Sequence, residues 1–195
     1  ATLEGVITGS DGKALVGAKV SAGPVTTAGA GQSNPARAFQ SLMRDGSRDI
    51  ATDEQGRFRL LGLTTTEQIE VTARAEGFVT GRSAPMQLGA GEVRTNVDVR
   101  LRSAGKVRVQ FVSATPNPAG AVISGRYLGQ GQVDEVVEIS RGARTTIDGL
   151  TPGAWEFSAR NFRGPGGGGN ANNAIDVPKR VEVVAGEEAQ LEFQR

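Results

Sequence analysis

Acid–base, nucleophilic and metal chemistry draw first on histidine and cysteine, and this sequence contains neither. Without histidine, serine-centred acyl transfer lacks its usual base near neutral pH, and a metal site lacks its commonest ligand. Without cysteine there is no disulfide, thiolate ligand or thiol nucleophile. What remains are carboxylates, lysines and aromatic rings. Asp11 lies in Gly9-Ser10-Asp11-Gly12, and Asp53 and Glu54 in Asp53-Glu54-Gln55-Gly56, where acidic side chains and carbonyls could hold calcium. Neither turn has the spaced carboxylates of a calcium loop. Aspartate also starts turns by bonding its own backbone, so the turn role is expected and no metal is assigned.

Lys19 or Lys13 with Asn96 and Glu70 could form an internal isopeptide bond, which needs lysine, asparagine and glutamate buried together. Lys19, however, sits beside Val20 on an alternating segment, so a solvated strand face is the expected place for it. Trp155, Tyr127 and Phe162 could stack on a sugar. Trp155 occupies the place that Ile69 takes in a repeated pattern, which favours the core. Phe39, Leu42 and Met43, edged by Arg37 and Arg44, form an apolar stripe that could dock a partner or pack on the scaffold. Candidate ligand or partner contacts are therefore Phe39, Met43, Arg37, Arg44, Tyr127 and Phe162. No catalytic residue and no cofactor are assigned. The run Gly164-Pro165-Gly166-Gly167-Gly168-Gly169 lacks the Lys-Ser/Thr ending of a phosphate loop. Glycoside hydrolysis needs two carboxylates converging in a cleft, which a small sandwich rarely supplies. Enzyme is the weaker class.

The elements that position these residues read as β-strands. Gly62-Leu63 leads into Ile69-Glu70-Val71-Thr72-Ala73, and the same grammar returns as Gly149-Leu150 leading into Trp155-Glu156-Phe157-Ser158-Ala159. Each copy closes on a Gly-Glu turn (Gly91-Glu92, Gly186-Glu187) and an alternating strand. In the first half, strands are expected at residues 3–7, 16–20, 50–52, 58–61, 69–75, 86–88 and 93–101. In the second they are expected at 107–111, 121–127, 133–139, 144–147, 155–160, 175–184 and 189–193. Short strands divided by turns, with almost no helix, predict an all-β chain of two tandem seven-stranded antiparallel β-sandwiches, transthyretin-like or Ig-like. The domains would be 1–102 and 103–195, the second more divergent but of related topology. An insertion at 23–48 holds one short helix over 36–43, with Pro35 at its start and Asp45-Gly46 at its end.

Composition narrows the partners. The 195 residues carry 22 basic and 21 acidic side chains, for a net charge of +1 with no basic stripe, so nucleic acid is not expected as a partner. Hydrophobic residues make up 37% and aromatics 5%, which predicts modest, aliphatic cores. No apolar run approaches a membrane span, so this segment is not expected to insert. Ala1 begins almost inside a strand without an initiator Met, which suits a mature product or an excised fragment.

The first half resembles the carboxypeptidase regulatory-like family, whose fold is a transthyretin-like (prealbumin-like) β-sandwich. The residues that carry the resemblance are Gly5-Val6-Ile7-Thr8, residues 11–20, Thr52-Asp53-Glu54-Gln55-Gly56-Arg57-Phe58-Arg59-Leu60, Gly62-Leu63, Ala75-Glu76-Gly77-Phe78 and Val97-Asp98-Val99-Arg100-Leu101. Gly12 and Gly56 would relieve tight turns, Gly17 would let two backbones approach, and Phe58 and Phe78 would plug the sandwich. In place of the family's Pro-Gly-x-Tyr element stands Thr64-Thr65-Thr66-Glu67-Gln68; the second half keeps that element as Pro152-Gly153-Ala154-Trp155. The resemblance implies a non-catalytic structural or protein-interaction module of an exported or cell-surface bacterial protein, acting as spacer or contact domain. Its partners would be a protein or attached domains of a larger chain. The alternative is a carbohydrate-binding module that holds a glycan.

Overall fold

A computed structural model of the chain describes residues 1–25, 49–63, 66–112, 120–129, 135–140, 142–161 and 174–194. The expected helix at 36–43 and the glycine run at 164–169 lie outside these. Among the described residues every regular element is a strand. The chain divides into two compact units, Ala1–Ser103 and Ala104–Arg195.

In the first unit, β1 (Thr2–Thr8), β4 (Arg57–Leu60), β7 (Val93–Arg94) and β8 (Val99–Arg100) make one sheet; β2 (Lys19–Pro24), β3 (Ile50–Ala51), β5 (Ile69–Arg74) and β6 (Gly81–Arg82) make the other. Alternation is the cause. Phe58 and Leu60 of β4 point inward while Arg57 and Arg59 face water; Ile69, Val71 and Ala73 do the same on β5. Leu3, Ile7, Val99 and Leu101 from one side meet Val20, Ile69 and Val71 from the other in a single core, and Phe58 lies within it while Phe78 packs against it.

Several expectations are corrected here. The strand expected at 16–20 begins at Lys19 and runs on to Pro24, because Gly17 sits at φ 72 in a turn. The segment 86–88 contributes one bridge, Ile69 to Met86, and β6 stands where no strand was expected. The continuous strand expected at 93–101 is broken into β7 and β8, both parallel to β1. From Leu3 to Ile7 β1 advances four residues while its partner advances five, from Arg94 to Val99, so one residue is extra: a β-bulge. Asn96, at φ 62, turns the bulge. Val97 then crosses so close beneath β1 that a Cβ on Gly5 would lie 2.0 Å from its carbonyl oxygen. Close approach is thus the task of Gly5 and not of Gly17, around which there is open space.

The second unit contains β9 (Gly105–Val112), β10 (Ala121–Tyr127), β11 (Glu135–Ser140), β12 (Arg144–Leu150), β13 (Gly153–Asn161), β14 (Lys179–Val183) and β15 (Glu188–Gln194). Its sheets run β11-β10-β13-β14 and β12-β9-β15. Counted within each unit, with β7 and β8 as one bulged strand, both units have the orders 3-2-5-6 and 4-1-7. The final strand lies parallel to the first in both, and β15 does so without interruption from Glu188 to Gln194. The core is not the aliphatic one expected: Trp155 stacks on Phe157 at 5.8 Å and Phe111 on Phe193 at 5.9 Å. Among the described residues five of the seven aromatics lie in or against this second core, which average composition cannot show.

Candidate functional site

The turn carboxylates are bound to their own backbone. Asp53 Oδ1 accepts from the N–H groups of Gln55 at 2.9 Å and Arg57 at 2.8 Å. Asp11 Oδ1 accepts from Lys13 N–H at 3.1 Å, and Oδ2 pairs with Lys13 Nζ at 3.3 Å. That backbone bond, with the lysine charge beside it, holds Asp11 below its ordinary range. Glu92 is lowered in the same way, first by Gly89 N–H at 2.6 Å and then by Arg94. Asp98 supplies the acceptor that the bulge removed from the ladder, taking Val6 N–H at 3.1 Å. Among the described residues no group of three or more acidic side chains could hold a metal ion.

Lys13, Lys19, Asn96 and Glu70 are not brought together. The Lys13 side chain is 84% exposed, Lys19 and Asn96 face solvent, and Glu70 is paired with Arg82. Trp155 is buried and donates from Nε1 to Thr151 O at 2.8 Å. Tyr127 is half-buried, its ring 5.6 Å from that of Trp155 and its hydroxyl donating to Pro152 O at 3.3 Å. Phe39, Met43, Arg37, Arg44 and Phe162 lie outside the described residues.

Two surface features were not expected from the sequence. One is an open groove of about 540 Å³ along β1, lined by Glu4, Val6, Arg57, Arg59, Asn96 and Asp98. Asn96 and Asp98 of the bulge line it on one side, and Arg59 pairs with its register neighbour Glu4 at 3.0 Å on the other. It brings together polar side chains without a nucleophile–base pair, an arrangement suited to contact. The other is the outward face of the 3-2-5-6 sheet in each unit. In the first unit Ser21, Thr72 and Arg82 stand side by side on β2, β5 and β6, and Arg82 bonds Glu70. In the second, Ser124 stands opposite Ser158, and Glu156 joins Arg126 at 3.2 Å to Arg180 at 3.1 Å. The repeat held the signal for this face: Glu70, Thr72 and Arg74 have the spacing of Glu156, Ser158 and Arg160.

Paired sheets around a core, with carboxylates bound to local turns, define an all-β protein of the β-sandwich class. The carboxypeptidase regulatory-like domain matches residues 2–102, and the chain belongs to that family. No curated protein matches the chain. Among solved structures, a Streptococcal ancillary pilin is similar at TM-score 0.36 and 14% identity, over 100% of this chain and 62% of that one. The minor pilin GBS52 of Streptococcus agalactiae gives 0.34 and 10%, over 100% and 95%. The shaft pilin SpaA of Lactobacillus rhamnosus GG gives 0.34 and 12%, over 99% and 96%. The chain thus spans less than two thirds of the first of these.

Proposed function

We propose that this chain is a non-catalytic structural and contact module of an exported or cell-surface bacterial protein, made of two copies of one β-scaffold. The observation that carries the reading is the use of its polar groups. Asp11, Asp53, Glu92 and Asp98 each serve the backbone of their own turn or bulge, and Glu4, Glu70 and Glu156 each hold a neighbouring arginine. The shared strand orders support kinship between the units, and membership of the regulatory-like family supports a structural role for the first. A spacer or contact domain works through such a scaffold with its variable loops presented to a partner protein or to attached domains.

The glycan-platform alternative gains no support from Tyr127, whose ring is committed to Trp155 and whose hydroxyl is committed to Pro152. The test of the contact role is removal of residues 25–47, which hold Phe39, Met43, Arg37 and Arg44. The shortened chain is expected to melt as the intact one does and to lose cross-links to its envelope partners in living cells. Unchanged cross-links would contradict the docking role of that segment.

A further inference from the structure

Strand edges are where sheets recruit further strands, and the two units close the same edge in different ways. In the first unit the last strand is broken into β7 and β8 by the bulge, and beyond it the chain covers its own edge. There Val79 N–H donates to Arg102 O at 2.8 Å, and Phe78 bridges Ser103. In the second unit β15 runs parallel to β9 without a break over its 7 residues. Lys106 N–H donates to Glu187 O at 3.0 Å, which fixes the phase of this ladder. Glu187, Ala189, Leu191 and Phe193 therefore turn their backbone groups to β9, while Glu188, Gln190, Glu192 and Gln194 turn theirs outward. Among the described residues no group takes the outward N–H of Glu188, Gln190 or Glu192, and all three residues are exposed. Gln194 is met: its N–H donates to Asp176 Oδ2 at 2.8 Å.

Asp176 reaches that edge because the chain before β14 is too long for its ladder. β13 advances three residues from Phe157 to Arg160, while the facing chain spans five, from Lys179 back to Ala174. The two in excess make a strap that bulges out of the sheet. Ile175 holds its base, with its N–H bonded to Ala159 O at 2.8 Å and its side chain against the core. Lys179 closes the other end, paired with Asp176 at 2.9 Å and lying 5.8 Å from the centre of the Phe193 ring. Val177, at the tip, is 69% exposed, so polar contacts and not packing hold the strap to β15.

The side chains of β15 match one outward partner, a second copy of β15. Paired antiparallel about Leu191, two copies set Glu188 opposite Gln194 and Gln190 opposite Glu192. Each carboxylate then meets a carboxamide, and Leu191 meets its own copy on the inner face. Pairing about Gln190 sets Glu188 against Glu192, a like-charge pair that is unfavourable, and pairing about Ala189 leaves Glu192 and Gln194 unmatched. Arg108 holds Glu188 at 2.9 Å within the sheet, which weakens the repulsion between copies. The matched register needs the N–H of Gln194, and Asp176 occupies it. We infer that the outer edge of β15 is a self-association surface, and that the Asp176 strap holds it shut and keeps the chain monomeric. Loss of the carboxylate frees Gln194, and two copies of the β12-β9-β15 sheet continue as one.

The test is sedimentation of the full chain and its variants across a concentration series at neutral pH. The parent is expected as a monomer and D176A at twice its molar mass. D176A combined with Q190P is expected to return to the monomer, because proline removes an outward N–H that β9 does not use. D11A, which loses a turn carboxylate of the first unit, is expected to stay monomeric. Circular dichroism and melting show which variants are folded. A second variant lacking Asp176 and Val177 opens the same edge by shortening the strap, and it decides the question where D176A does not fold. A dimeric parent, folded D176A that stays monomeric, association that survives Q190P, or equal association of D11A would overturn the inference. None of these outcomes alters the cross-linking expected of residues 25–47.

Discussion

Asp176 shows how one side chain fixes the end of a strand. Its carboxylate takes Gln194 N–H at 2.8 Å on β15, Val177 N–H at 2.7 Å and Lys179 Nζ at 2.9 Å. The backbone bond from Gln194, then Lys179, then Val177 N–H lower its pKa from the ordinary 3.8 to about 2. A carboxylate lowered by folding stabilises the fold above its unfolded pKa, and that contribution is lost as pH falls through the folded value. Asp176→Asn is therefore expected to lower the melting temperature at pH 7, and the gap to the parent should close as pH falls from about 4 to about 2. Melting curves across that range check it, and a gap that stays constant would contradict the assignment. Asp11 and Glu92, also lowered, act in the same direction over the acidic range.

At the scale of elements, the bulge between β7 and β8 is the feature with most consequence. Its residues Asn96 and Asp98 line the groove beside β1, and Asp98 accepts from Val6 N–H. Gly5→Ala would put a methyl against the Val97 carbonyl, a backbone contact that no rotamer change relieves, at about 1–3 kcal/mol. Gly17→Ala meets no atom and pays the left-handed backbone alone, about 1–2 kcal/mol. Urea unfolding of both variants separates the terms: Gly5→Ala should also perturb the packing of Phe58, and Gly17→Ala should not. Much of this scale was legible beforehand. Alternation placed Phe58, Leu60, Val71, Val99 and Phe193 inward, and the repeat placed Trp155 with Ile69 in the core. The bulge was not legible, because Val97, Val99 and Leu101 alternate perfectly through it, and Asn96 signals a turn weakly. The outward face of β5 was missed because polar residues on an alternating strand read as solvation.

For the whole chain, each unit has its own core and completes both of its sheets from its own strands, the first within Ala1–Ser103 and the second within Ala104–Arg195. The scaffold reading holds that neither core needs the other, and that private function lies in surfaces and loops added to a common strand order. Calorimetric unfolding of the separate pieces 1–103 and 104–195 tests this most directly. Each piece is expected to show β-sheet circular dichroism and a single cooperative transition on its own. Either piece remaining unfolded in isolation at neutral pH would contradict it.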